Sequence, residues 1–432
     1  VTVIAPNGGE KWQIAIPQNI TWSITGSISS VKLEYSTDGG GTYPNTIIGS
    51  IDATAGTPYA WAVPDTPTAQ ARVKITNASD PTVFDISNAN FKIQGSVILT
   101  APNGTESWGV GESQNITWTK TGSIVNVKLE YSINSGTTFP NTIIASTPSD
   151  NLSYSWTIPD NISTTSRVRI TDTGDIEVTD SSDANFTIRG SFIVTAPNGG
   201  EIWRVGTAQN IVWTKNGSIN EAKLEYSTNG FTNELQTTTI VASTPATNLS
   251  YAWNIPDSIS NQVKVRISDV AAVSLGDVSN GNFAIKGTIT LTSPNGGESY
   301  GVASVQNVTW TRTGSFANVK LEYSTNAFAD ESQSSLISAS APADPAPVDG
   351  SGTYAWTVPD AISQAVKVRV TDANDASVTD SSNNQFTIRG ILTITSPNGT
   401  EKWIVGTAQL ITWDRFGSIS NVRLQYTTNG SI

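Results

Sequence analysis

The sequence predicts an all-β protein assembled from tandem β-sandwich domains, and three observations predict it. The run Pro6-Asn7-Gly8-Gly9-Glu10 returns at Pro102, Pro197, Pro294 and Pro397, a spacing of 95 to 103 residues. Between these markers the chain alternates apolar and polar residues with period two in short segments, the pattern of strands with one buried face. Tryptophan recurs in register with the marker, so the large core residues are dealt out once per repeat.

The first repeat justifies the elements in order. Strands are expected near 1–5, 19–24, 31–36, 46–50, 58–63, 71–76 and 90–94, separated by Gly, Pro, Asn and Asp. Pro6-Asn7-Gly8 is a turn, because Pro pre-sets φ while Asn and Gly tolerate positive φ. Val31, Leu33 and Tyr35 point to one face while Lys32 and Glu34 point to the other. Tyr59, Trp61 and Val63 share a face, as do Ile20 and Trp22, and these sets can meet in one core about 10 Å thick. Seven short antiparallel segments per repeat are the pattern of an immunoglobulin-like sandwich. Nothing reads as a helix of any length.

The divisions fall at 1–95, 96–190, 191–287, 288–390 and 391–432, the last holding the start of a fifth repeat. Each passes through a single glycine, at Gly95, Gly190, Gly287 and Gly390, with no Pro/Ser/Gly tract. So little slack predicts tandem domains stacked end to end as an extended rod. At ~3.3 Å per strand residue a domain is on the order of 30 Å long and the array roughly 140 Å. The fifth repeat stops after Tyr426, which leaves Trp403, Trp413 and Tyr426 without a partner sheet. The expectation is that the natural chain continues; completion by strand addition from another chain is the sharper alternative. The absence of Met, even at position 1, points to a mature product or a slice of a longer protein.

Composition excludes several function classes. The net charge is −12 and no Lys/Arg cluster occurs, which excludes nucleic acid as a partner. Only 14% of residues are charged, so Thr, Ser and Asn build much of the surface. There is no Cys and no His, which removes disulfides, thiolate metal sites and the commonest general base. No apolar run approaches the ~20 residues of a membrane span, and no signal peptide is present.

The string PNGGE-x-W, N-I-T-W, V-K-L-E-Y-S-x-D-G-G, Y-x-W-x-V-P-D and a closing N-F-x-I resembles a known repeat family. It is the Ig-like domain family named after Ser/Thr-rich GPI-anchored fungal cell-wall proteins, which include β-glucan-assembly proteins; similar modules recur in bacterial and archaeal secreted proteins. The likeness covers all four full repeats and the start of the fifth. It implies an extracellular location and association with walls, stalks or large secreted assemblies, and it brings no catalytic residues. The chain departs from it in Tyr300 for Trp, in an Ala/Pro-rich loop at 341–352, and in lacking a Ser/Thr-rich tail.

Candidate sites follow from residue type. Trp22, Trp61, Trp118, Trp156, Trp213, Trp253, Trp310 and Trp356 sit at inward strand positions and are read as core. The first Trp of each repeat, as at Trp12, lies just past the turn, where an exposed role is also open. Tyr43, Phe139, Phe231 and Phe328 lie in loops and are the candidates for exposed, sugar-stacking aromatics. Asp172, Asp175, Asp180, Asp372, Asp375 and Asp380 gather in the last hairpin of repeats two and four. Their oxygens suit Ca²⁺, yet Asp also populates turns by bonding its own backbone, so no metal and no cofactor is assigned. Twelve Asn-x-Ser/Thr sequons include Asn19, Asn115, Asn151, Asn161, Asn185 and Asn307, acceptors for N-glycans in a secreted chain.

The expected function is therefore a non-enzymatic, structural extracellular protein on the cell surface, a rod contributing to a filament, stalk or surface layer by self-association. An adhesin or carbohydrate-binding array, with cell-wall glycan as partner, and the spacer of a larger secreted enzyme are the alternatives.

Overall fold

The computed structural model describes residues 1–54, 57–344 and 350–430. By its internal contacts the chain forms two units, Val1–Ser191 with Lys215–Ile219, and Phe192–Thr214 with Asn220–Ile432. Residues 345–349 of the Ala/Pro-rich loop of repeat four lie outside the described residues.

In the first unit, repeat one folds as nine strands. They are β1 (Thr2–Ala5), β2 (Lys11–Gln13), β3 (Pro17–Ser23), β4 (Ser30–Ser36), β5 (Asn45–Asp52), β6 (Tyr59–Ala62), β7 (Thr68–Asn77), β8 (Phe84–Ile86) and β9 (Phe91–Gln94). A three-stranded sheet in the order β1-β3-β6 faces a six-stranded sheet in the order β2-β9-β7-β4-β5, with β8 paired to β7. The same arrangement repeats in β10 (Ser96–Ala101), β11 (Ser107–Gly109), β12 (Ser113–Thr121), β13 (Asn126–Ser132), β14 (Asn141–Pro148), β15 (Ser153–Thr157), β16 (Ser163–Asp172), β17 (Thr179–Ser181) and β18 (Phe186–Arg189).

Each sandwich closes over the predicted residues. Val31, Leu33, Ile20 and Ile75 are fully buried, and Trp12, Tyr35, Trp61 and Phe91 form an aromatic cluster between the sheets. Trp61 meets Trp12 edge-on at 5.8 Å and Tyr35 at 5.0 Å, the tilted geometries that ring quadrupoles favour. Trp22 buries its indole and donates Nε1–H to the Ala53 carbonyl at 2.9 Å, so its polar atom is satisfied.

Two strands per repeat are additions to the sequence expectation. β2 pairs in parallel with β9 through only three residues, too few to show alternation and with no turn to announce the pairing. β8 forms a three-residue antiparallel ladder with β7. Because β2 and its counterparts carry this residue inward, the first Trp of repeats one, two and three is core. Trp12, Trp108 and Trp203 are 6%, 7% and 7% exposed, which removes the exposed role left open for them.

In the second unit, repeats three and four each repeat the three-stranded and six-stranded sheets. Of the fifth repeat, Ile391–Ser396 pairs with Thr412–Phe416 in a two-stranded sheet, and Trp403 and Tyr426 are 44% and 92% exposed. Helical structure among the described residues is confined to short 3₁₀ turns such as Ser149–Asn151 and Glu234–Gln236. Among the described residues no helix is long and apolar enough to cross a membrane.

Candidate functional site

The marker run is a lock for the turn. Glu10 accepts the backbone N–H of Asn7 and of Gly8, both at 2.7 Å. The Asn7 side chain accepts the Asn88 N–H at 2.6 Å, and the Ser87 hydroxyl donates to the Pro6 carbonyl at 2.7 Å. Gly8 sits at φ +128° against Ala89, where an added Cβ would come within 2.5 Å, so Gly is required on two counts. Glu106, Glu201, Glu298 and Glu401 repeat the clasp. Burial opposes the charge on Glu201, yet the Asn198 and Gly199 amides hold its carboxyl below the usual range.

All eight Trp assigned to the core are buried. Trp118, Trp213 and Trp310 repeat the Trp22 hydrogen bond, to the carbonyls of Ser149, Ala246 and Ala343.

The four loop aromatics are not free platforms, and this corrects the expectation. Each is half-buried on the outer surface of the six-stranded sheet beneath a cation. Phe139 lies under Arg169 at 4.4 Å, Phe231 under Arg266 at 4.6 Å, Phe328 under Arg369 at 4.4 Å, and Tyr43 under Lys74 at 5.6 Å. The cation covers the ring face a sugar would use. The same arginines bind the outward Glu of the neighbouring strand. Arg169 donates twice to Glu130, at 2.7 and 3.2 Å, and Lys128 reaches the other oxygen at 2.5 Å. Burial opposes ionisation of Glu130, but Lys128 and Arg169 hold its carboxyl below the usual range. Arg266 and Arg369 add Glu234 and Glu331 as second partners.

The acidic hairpins serve the fold and the junctions. Asp180 and Asp380 accept the backbone N–H of Leu99 and Leu291, both at 2.7 Å, tying the last hairpin to the first strand of the opposite sheet. Asp85 and Asp277 do the same for Val3 and Val194. Asp172 and Asp372 accept the amides two residues ahead, Gly174 and Asn374. Asp175 and Asp375 bind Lys92 and Lys286. Among the described residues no three acidic groups converge as a metal site.

The sequons divide. Asn19, Asn115, Asn151 and Asn307 are exposed. Asn161 donates to the Tyr131 hydroxyl at 2.6 Å, and Asn185 bridges Arg167 and Ser135. Both are half-buried with their amide nitrogens engaged.

The junctions are the most elaborate feature that sequence reading located only as short linkers. Between repeats one and two, Asp65 accepts both the N–H and the hydroxyl of Ser123, each at 2.8 Å. On the other side, Lys92 reaches Asp175 at 2.6 Å and Glu177 at 2.7 Å, and Lys11 reaches Glu177 at 2.8 Å. Hydrogen bonds from Lys11 and then Lys92 lower the Glu177 carboxyl to about 2. Gly95 packs so closely that a Cβ would stand 2.7 Å from the Thr121 carbonyl and 2.9 Å from Ile124. The first unit repeats the clasp between Asp160 and Ser218, at 2.8 and 2.6 Å. In the second unit Asp257 binds Ser315 and Asp360 binds Ser418. The Ser hydroxyl and then its amide hold Asp160 and Asp360 below the usual carboxylate range. Lys286 bridges to Asp375 at 2.9 Å.

No family model matches the chain, and no curated protein matches it. Solved structures with similar folds are tandem sandwich proteins. Four N-terminal Ig domains of Dscam1 isoform 1.9 align at 7% identity and TM-score 0.24, over 88% of this chain and 96% of that one. Ig domains 1–5 of Sidekick-1 align at 11% and TM-score 0.22, over 90% and 80%. Fibronectin(III)-like modules of Clostridium thermocellum CbhA align at 14% and TM-score 0.17, over 44% and 94%. By the strand pairings described above, the chain is a tandem array of immunoglobulin-like β-sandwiches.

Proposed function

We propose that the chain is a non-enzymatic structural segment of an extracellular protein, a stiff run of sandwich repeats that contributes to a filament, stalk or surface layer through self-association. The observation that carries this reading is the junction. A single glycine linker, a carboxylate-to-serine clasp and, at two junctions, a lysine bridge fasten one repeat to the next within each unit. Such fastening has no use in a chain whose domains act separately. The family resemblance, carried by PNGGE-x-W, N-I-T-W and Y-x-W-x-V-P-D, supports a place among Ig-like modules of wall and surface proteins. The Thr/Ser/Asn-rich composition agrees with export. The carbohydrate-array reading loses its support, because its candidate aromatics lie under cations.

Small-angle scattering from the full chain tests the stiffness. Expected is a rod-like profile that persists when salt is raised to 0.5 M. A profile of freely jointed beads would overturn the reading.

A further inference from the structure

Among the described residues, the outward strand positions of one sheet in every complete repeat carry no charge. In the three-stranded sheet of repeat two the outward residues are Ser96, Ile98 and Thr100 on β10, Ser113, Asn115, Thr117, Thr119 and Thr121 on β12, and Ser153, Ser155 and Thr157 on β15. The corresponding outward positions of repeats one, three and four also hold only Thr, Ser, Asn, Ala, Val, Ile and Pro. No Asp, Glu, Lys, Arg or aromatic residue stands among them. The partial fifth repeat differs, with Asp414 opposite Thr393. The outer surface of the six-stranded sheet holds the Lys-Glu-Arg clusters instead, so charge is segregated by face.

The rows are in register. Thr100 and Thr117 share a hydrogen bond at 2.7 Å, Thr292 and Thr309 repeat it at 2.7 Å, and Ser113 meets Ser155 at 2.8 Å. A solvated antiparallel face ordinarily mixes in charged side chains, and its edges are guarded by Lys, Pro or bulges. Here the first strand keeps its bulge, between Val3 and Ala5, Leu99 and Ala101, and Leu291 and Ser293. The edge is thereby spoiled for strand addition while the flat of the sheet is left uncharged.

We propose that this face is the contact surface through which a second copy of this chain packs, sheet against sheet. The inference rests on the self-association reading above. The chain carries a net charge of −12, so two copies repel wherever charged surfaces meet, and this face is where they meet none. Each hydroxyl both donates and accepts, which makes the rows self-complementary. Small side chains allow two sheets to approach to about 10 Å. The face offers no ring for a sugar to stack on and no cation for an anionic partner.

The test is sedimentation velocity of the full chain across a hundredfold concentration range. One variant carries Ser23→Lys, Thr119→Lys, Thr214→Lys and Thr311→Lys on the uncharged faces. A control carries Thr46→Lys, Thr142→Lys, Thr239→Lys and Leu336→Lys on the opposite sheets, and circular dichroism melts confirm that both fold. Both have the same reduced net charge, so a difference between them reports the face. Expected is association of the parent and the control, and a variant that stays a single species. Equal association of all three overturns the face and leaves self-association standing. A parent that stays single throughout overturns self-association itself. Glycans found by peptide mapping on Asn19, Asn115 or Asn307 of native material also overturn the proposal, because those asparagines stand on this face.

Discussion

At the scale of single residues, the repeated motifs are repeated solutions to local problems. Trp118 fills the sandwich and hands its indole hydrogen to Ser149. Trp118→Phe keeps most of the volume and removes one of the two hydrogen bonds to that carbonyl, which still accepts the Leu152 N–H, a loss of ~0.5–1.5 kcal/mol. Trp118→Ala opens a cavity as well, for ~3–5 kcal/mol. A chain of several domains does not unfold in one step, so calorimetry should register each change as one transition moving down while the others hold. Glu130 poses the opposite problem, an acid 9% exposed that depends on its cations. Arg169→Ala should cost ~2 kcal/mol, below the ~3–5 of a fully buried pair because Arg169 itself is 37% exposed. Arg169→Lys should recover only part of it, since an ammonium reproduces neither the paired hydrogen bonds nor the stacking on Phe139; urea melts of the three proteins check the order.

At the scale of elements, the junction between repeats one and two joins a glycine strand crossing to two polar contacts. Gly95→Val would drive a side chain into the Thr121 carbonyl and Ile124, so protease cutting at 94–96 should quicken several-fold without loss of either sandwich's melting transition. The lysine bridge should respond to acid. Glu177 has its carboxyl lowered from 4.5 to about 2 by Lys11 and Lys92, so its contribution is complete above pH 4.5 and lost as pH falls toward 2. Amide exchange at Gln94–Ser96 should accelerate across that window, and Lys11→Ala with Lys92→Ala should flatten the response. These contacts were not legible in the sequence, because Lys92 and Glu177 stand 85 residues apart and nothing in either neighbourhood names the other. The strands were legible where they alternate over five or more residues, as in Val-Lys-Leu-Glu-Tyr. The three-residue β2 and β8 carry no such period. The loop aromatics were misread for a related reason: a strand pattern says that Arg169 points outward, but not that Phe139 folds back beneath it.

At the scale of the whole molecule, charge and its absence are sorted onto opposite sides of each sandwich. Because the clusters on the six-stranded sheets are internally paired around largely buried glutamates, moderate salt should leave the melting transitions almost unmoved, since such pairs are screened little. Calorimetry at 0.05 and 0.5 M NaCl checks this; a fall of many degrees would mean that the clusters, not the aromatic cores, hold the repeats together.

The aspartate clasp has a further consequence. In all four instances the Asp and the Ser it grips are 58 residues apart, each repeat offering its carboxylate to the repeat ahead and its hydroxyl to the one behind. A gene that gains or loses one whole repeat by recombination therefore regenerates the clasp at the seam, with no compensating mutation. Copy number becomes a heritable dial for reach, adjustable in steps of one domain while the aspartate–serine clasp recurs at each seam.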